Sequence, residues 1–159
     1  MRTAIADVRE FLAQRRIALV GLSRNPKDFS RMLFREMCNR GYDMVPINPA
    51  ASELEGKRCF ANVQEIDPPA EAALLMTARR DAERVVRDCA KAGIRRVWLY
   101  RGAGQGAVSE PAVDFCQRNG IRLVSGHCPF MFLPRASFIH QAHGVLMKLF
   151  GGYPIEVQG

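Results

Sequence analysis

The sequence predicts a doubly wound α/β domain built on a five-stranded parallel sheet, and three observations carry that expectation. Five short apolar runs recur at similar intervals, the stretches between them switch to helical periodicity, and no internal repeat or low-complexity linker interrupts the alternation. Continuous apolar runs suit strands buried on both faces. Right-handed crossovers between such strands then place helices on both sides of the sheet.

The elements follow in order. An opening helix over about residues 3–14 buries Ile5, Val8 and Leu12. Ile17-Ala18-Leu19-Val20 is the first strand and Gly21 its end. Phe29, Leu33 and Met37 form a helical stripe stopped by Gly41. The second strand, Asp43 to Ile47, ends at Asn48-Pro49, and Pro46 counts against it because proline cannot donate to a ladder. Residues 53–66 read as a loop with one helical turn, Asn62 capping and Glu65 three residues on. The third strand, Ala72 to Met76, ends at Thr77. Ala82, Val85, Val86, Cys89 and Ala90 stand at i, i+3, i+4, i+7 and i+8, the clearest helix in the chain, with Gly93 as its stop. Arg96 to Tyr100 is the fourth strand, followed by Arg101-Gly102. Ser109-Glu110-Pro111 opens a helix through Ala112 and Cys116 that Asn119-Gly120 closes. Ile121 to Val124 is the fifth strand, ending at Ser125-Gly126. The segment from His127 lies outside the alternation and finishes in a helix from Ser137 to Phe150.

At 159 residues the chain has the length of one domain, and such a domain buries roughly 70% of the surface its unfolded chain exposes. With 48% hydrophobic and 25% charged residues it is neither a disordered tail, a coiled-coil rod nor a collagen-like repeat. No apolar run is long enough to span a bilayer, and the opening stretch carries acids, unlike a signal peptide, so a soluble cytoplasmic protein is expected. Five widely spaced cysteines without a Cys-x-x-Cys pair fit a reducing compartment. The net charge of +7 is concentrated: residues 1–40 hold nine bases against four acids, and residues 79–101 hold eight against three. An excess so placed predicts an anionic partner. No helix-turn-helix or aromatic-basic motif supports nucleic acid, and only Lys148 puts a base on the polar side of the last helix, so a membrane surface is not expected either.

In a doubly wound sheet, ligands bind outside the carboxyl ends of the strands where strand order reverses. The first strand leads into Gly21-Leu22-Ser23-Arg24-Asn25-Pro26-Lys27-Asp28-Phe29-Ser30. Glycine permits a sharp turn and close backbone approach, Ser23 offers a hydroxyl, and the helix start offers amides suited to phosphate. Arg24, Lys27 and Arg31 add charge there. An ordinary strand-to-helix turn with solvated bases accounts for the loop equally well. It lacks both G-x-G-x-x-G and the Walker pattern, and the second strand ends in Asn48-Pro49 where an NAD-binding protein usually places an acid. These features count against NAD(P), the alternative adenine nucleotide. Gly102-Ala103-Gly104-Gln105-Gly106-Ala107 has the glycine spacing but follows the fourth strand, and reads as a flexible lip.

Ile17-Ala18-Leu19-Val20-Gly21-Leu22-Ser23 with Asn25-Pro26 and Ser30, then Gly41-Tyr42 and Val45-Pro46-Ile47-Asn48-Pro49, resembles the small stand-alone CoA-binding domain proteins. These are similar in fold to the CoA-binding domain of the succinyl-CoA synthetase alpha subunit. The resemblance continues through Leu54-Glu55-Gly56-Lys57 and Ala92-Gly93-Ile94-Arg95-Arg96-Val97-Trp98-Leu99 to Gly120-Ile121 and Cys128-Pro129, covering about residues 10–129. It implies a single Rossmann-like domain over residues 1–135 that binds coenzyme A or an acyl-CoA, a small-molecule partner. Gly21, Ser23 and Ser30 would lie near the phosphates and Asn48-Pro49 near the adenosine half, with Arg24 in the same loop adding charge. Thr77, Arg79, Arg101 and Gly102 are carried over by position. Tyr100-Arg101 and Gly126-His127 stand where family members often have a glutamine and a charged pair.

Cys128, behind the fifth strand and before Pro129, belongs at the ligand edge. A lowered pKa would let it form a mixed disulfide with the pantetheine thiol or serve an acyl-CoA transferase or thioesterase as nucleophile. The plainer reading is a small apolar residue in a tight turn, and no base or oxyanion motif accompanies it, so binding without catalysis is expected. His127 points away from its neighbour in extended chain and makes no dyad with it. His140 and His143 share a helix face without an acid or second Cys-His pair to complete a metal site. Residues 136–159 are expected as an added helix and tail, packed on the domain or forming a homodimer interface, since Phe138, Ile139, Val145, Leu146 and Leu149 cover more than one narrow face.

Overall fold

Along the chain run α1 (Ile5–Leu12), β1 (Arg16–Val20), α2 (Phe29–Asn39), β2 (Asp43–Ile47), the two-residue strands β3 (Glu53–Leu54) and β4 (Lys57–Arg58), and a 3-10 turn at Val63–Glu65. Then come β5 (Ala72–Leu75), α3 (Arg79–Lys91), β6 (Arg96–Leu99), α4 (Glu110–Arg118), β7 (Arg122–Ser125) and a second 3-10 turn at Pro129–Met131. The computed structural model describes residues 3–102 and 106–134. The expected helix from Ser137, with His140, His143 and the division at residue 136, lies outside them.

β2, β1, β5, β6 and β7 pair in that order, all parallel. The chain moves from β1 to β2 on one side and then crosses to build the remaining strands on the other, so strand order reverses between β1 and β5. Because each crossover is right-handed, reversing direction also changes the face that is covered. Ile17, Leu19, Met44, Ala72, Leu74, Trp98 and Val124 meet α1 and α2, while Ala18, Val20, Val45, Ile47, Ala73, Leu75, Val97, Leu99 and Leu123 meet α3 and α4. This alternation along each strand is the period of two that a pleated sheet imposes. The crossover from β2 to β5 has no α-helix and covers the sheet with Val63, Ile66 and Ala70 instead.

Pro46 is accommodated because β2 is an edge strand. The Phe60 N–H donates to the Pro46 carbonyl (3.1 Å), so the peptide edge of Pro46 faces outward and its missing N–H is needed by no strand. Two expectations need correction. α1 buries Val8 and Phe11, with Ile5 and Leu12 only partly covered, because the helix turns Phe11 edge-on to Trp98 (5.2 Å between ring centres). Residues 53–58 form an antiparallel hairpin, not a loop, whose turn residues Glu55 and Gly56 have φ of +54° and +69°. At the end of the glycine stretch, Gly106 has φ +52° and lies so close to the preceding chain that a Cβ would collide with the Tyr100 carbonyl, and the Ala107 N–H donates to that same oxygen (2.9 Å). Residues 103–105 lie outside the described residues.

Trp98 is fully buried at the centre of β6. Its indole N–H donates to the His127 carbonyl (2.9 Å) and its ring meets Phe132, which ties the segment after β7 to the sheet.

Candidate functional site

The carboxyl ends of the strands carry almost every residue singled out from the sequence, and the first of them is Gly21. Its N–H donates to the Ile47 carbonyl (3.1 Å), its φ is +89°, and a Cβ there would stand 2.9 Å from the Met76 carbonyl oxygen. Only glycine lets the ends of β1 and β5 approach so closely. The turn then runs into α2, whose N-cap Asp28 accepts from both the N–H (2.8 Å) and the hydroxyl (2.6 Å) of Ser30. Ser30 is buried, and its oxygen in turn accepts from the Ser23 N–H (3.1 Å), so this serine shapes the loop from inside. Ser23 accepts from the Asn25 N–H (3.1 Å) at its own hydroxyl oxygen, keeping its O–H proton for another acceptor.

Arg24 is exposed at the loop tip. Arg31 is not the solvated base the sequence suggested. It is buried, with Nε on Glu55 (2.5 Å) and Nη1 on the carbonyls of Ser23 (3.0 Å) and Arg24 (3.3 Å). Asn48 also braces the loop: its side-chain amide donates to the Leu22 carbonyl (2.8 Å) and accepts from the Ala50 N–H (2.7 Å). Much of the basic excess is likewise engaged at home. Arg84 pairs with Asp88, Arg87 with Glu83 while lying over Phe115, and Arg96 and Arg122 with Glu10.

Gly21, Pro49 and Thr77 come together on a cavity of about 630 Å³ at the reversal of strand order, with Asn62, Asp81 and Arg84 completing its wall. The Thr77 hydroxyl is buried there with no hydrogen-bond partner among the described residues, an arrangement that costs on the order of 1–3 kcal/mol until an acceptor or donor arrives. Arg79 opens α3 next to the lining residue Ala78. Asn62, Asp81 and Arg84 were missed as lining residues. Asn62 is the cap its sequence position suggests, but nothing in the sequence says that the β2–β5 crossover folds back over the strand ends.

Arg101 belongs to a separate cavity of about 510 Å³ with Ser109, Glu110, Ser125 and Gly126. Gly102 is exposed beside the Tyr100 ring. That ring stacks on Phe29 (5.5 Å), which meets Phe130 edge-on (5.8 Å), making an aromatic wall on the α2 side. Cys128 packs into the same cluster. Burial pushes its thiol up to about 11, and pushes the Tyr100 hydroxyl up to about 12. At pH 7 only about one Cys128 side chain in ten thousand would be thiolate. Burial pulls the His127 imidazole down, and its Nδ1 has no hydrogen-bond partner among the described residues. No set of three metal-ligating side chains occurs among the described residues, and none of the described helices is long and apolar enough to cross a membrane.

A parallel sheet of this order, with a glycine turn at the start of its first crossover and a cavity at the reversal point, defines a Rossmann-like α/β class of domain. Within that class the family model described as CoA binding domain matches residues 15–134, and the chain belongs to that family. The uncharacterised protein YneT of Bacillus subtilis is 28% identical over 124 residues, 77% of this chain and 89% of the relative. The alpha subunit of an ADP-forming acetate–CoA ligase II from Pyrococcus furiosus is 23% identical over 126 residues, 74% of this chain but 27% of that protein. A hypothetical protein from Pyrococcus horikoshii, known by its structure, superposes with a TM-score of 0.72 at 26% identity, covering 78% of this chain and 85% of the other.

Proposed function

We propose that this protein binds coenzyme A or an acyl-CoA across the carboxyl ends of β1, β2, β5 and β6. The observation that carries the reading is the cavity at the reversal point, lined by Gly21, Pro49 and Thr77, in a chain of the CoA-binding-domain family. In this reading the pyrophosphate rests against the loop from Gly21 to Arg24, where the Arg24 N–H and the Ser23 hydroxyl meet its oxygens. Arg24 and Arg79 offset its charge from the rim. Ser30 and Asn48 contribute by holding the loop, not by touching the ligand. The adenosine half occupies the cavity beside Pro49 and Thr77. The pantetheine arm passes Gly102 and Arg101 toward Tyr100 and Cys128, and the raised thiol of Cys128 favours a packing role over a nucleophilic one.

A ligand bound only by the folded state raises the melting temperature in proportion to the logarithm of its concentration over its Kd. CoA is therefore expected to stabilise the protein in a thermal scan, and NAD and NADP at the same concentration to do markedly less. Stabilisation by NAD or NADP without CoA would overturn the reading.

A further inference from the structure

We propose that Glu55, outside the candidate site, is a positioning residue that sets the affinity of the first loop for a pyrophosphate-bearing ligand. The inference rests on the reading of that loop as the phosphate site. Glu55 sits at the tip of the β3–β4 hairpin in a left-handed conformation (φ +54°) that side chains rarely adopt. What it gains there is contact with α2. Arg31 reaches one carboxylate oxygen at 2.5 Å, and Arg35, one turn further on, reaches both, at 2.7 and 2.9 Å. The carboxylate is held below the usual range, first by the Arg35 hydrogen bond and then by Arg31, against the opposing effect of burial.

The two arginines spend their remaining donors on the ligand loop. Arg31 takes the carbonyls of Ser23 and Arg24, and Arg35 takes that of Pro26 (3.2 Å). In a trans peptide the N–H points opposite to the C=O of the same unit. Drawing the Ser23 and Arg24 carbonyls toward Arg31 therefore turns the Arg24 and Asn25 N–H groups to the other side of the loop. The second of these meets the Ser23 hydroxyl oxygen there, which places Ser23 on that same side. The loop thus shows the Arg24 N–H and the Ser23 O–H outward, the Asn25 N–H holding Ser23 in place, and hides the carbonyl oxygens that would repel a phosphate. Two guanidinium groups on one carboxylate also leave a net positive charge beneath it. Glu55 fixes the arginines in this arrangement, so its effect on the ligand passes through them.

Glu55→Gln keeps the side chain and removes the charge, while Glu55→Gly removes the side chain and relaxes the left-handed backbone. Both should fold, because Leu54 and Cys59 anchor the hairpin in the core and Lys57 bonds the Met44 carbonyl independently. Titrating each variant with CoA and, separately, with adenosine should show CoA weakened about tenfold or more and adenosine within about twofold of the original protein. Amide hydrogen exchange at Asn25 and Lys27, whose N–H groups close the loop, should rise in both variants while Leu19 in β1 stays protected. CoA affinity within twofold of the original, equal losses for CoA and adenosine, or unchanged exchange at Asn25 and Lys27 would each overturn the proposal. Failure of the original protein to bind CoA would sink the coenzyme reading instead, and the exchange measurement would still decide whether Glu55 orders the loop.

Discussion

Ser23 and Arg24 are neighbours on one loop, yet the proposed site gives their side chains unequal weight. Ser23 is half-buried and faces the same side as the outward amides, whereas Arg24 is exposed. Ser23→Asp is expected to weaken CoA binding by roughly 2–4 kcal/mol, by repulsion and a lost hydrogen bond. Arg24→Ala should cost about 1 kcal/mol or less, and mainly at low salt, since exposed ion pairs are screened. Calorimetric titration ranks the two, and a larger loss for Arg24→Ala would favour a general basic surface over a built site. Cys128 yields a second expectation at this scale. With its thiol at about 11, it should react slowly with thiol reagents at pH 7 in the folded protein and quickly after unfolding. Cys128→Ser should leave CoA affinity within about twofold; acyl-CoA turnover that vanishes in this variant would restore the nucleophile.

The helices that open at the strand ends are held there by their first residues. Ser109 caps α4, accepting from the Ala112 N–H at 3.3 Å in a buried position, and Pro111 stands where its missing N–H is not needed. Ser109→Ala should lower stability by about 1 kcal/mol, read from denaturant midpoints, with no change in the slope. This cap was legible in Ser109-Glu110-Pro111 because capping is a local matter of adjacent side chain and backbone. The β3–β4 hairpin was not. Its strands are two residues long, show no apolar alternation, and turn at Glu-Gly, a pair that carries no strong signal without the arginines of α2 beside it.

For the whole molecule, pH acts through groups scattered over both faces of the sheet. Burial lowers the His127 pKa, so below its ordinary value of 6.5 the unfolded chain takes a proton that the folded one refuses, and stability falls as pH drops through that region. Glu55, through its arginines, and Glu71, through the N–H groups of Arg16 and Arg15, are held low. Their contribution is present above the ordinary 4.5 and is lost below it. Cys89, Cys116 and Cys128 are raised from 9.0 by burial, so the unfolded state releases protons first and stability declines as pH rises past that value. Denaturation followed against pH should therefore show a plateau between about 6.5 and 9. His127→Phe should flatten the limb just below it, and an unchanged limb in that variant would assign the proton elsewhere.

The five strands, four described helices and their stops were determined by the sequence itself, because apolar period, caps and glycine stops act over a few residues and need no distant partner. So was the importance of Gly21, where a turn at a strand end demands a residue without a Cβ. What only the tertiary structure decided is which polar groups of the strand-end loops hold one another. Arg31 and Asn48 looked like ligand-facing residues beside Ser23 and Pro49. Contacts from residues 24 to 26 positions away in the chain, Glu55 on Arg31 and the Leu22 carbonyl on Asn48, make both into supports of the loop. A charged or polar side chain binds whatever partner the fold brings nearest, and that distance is set by packing, not by sequence spacing.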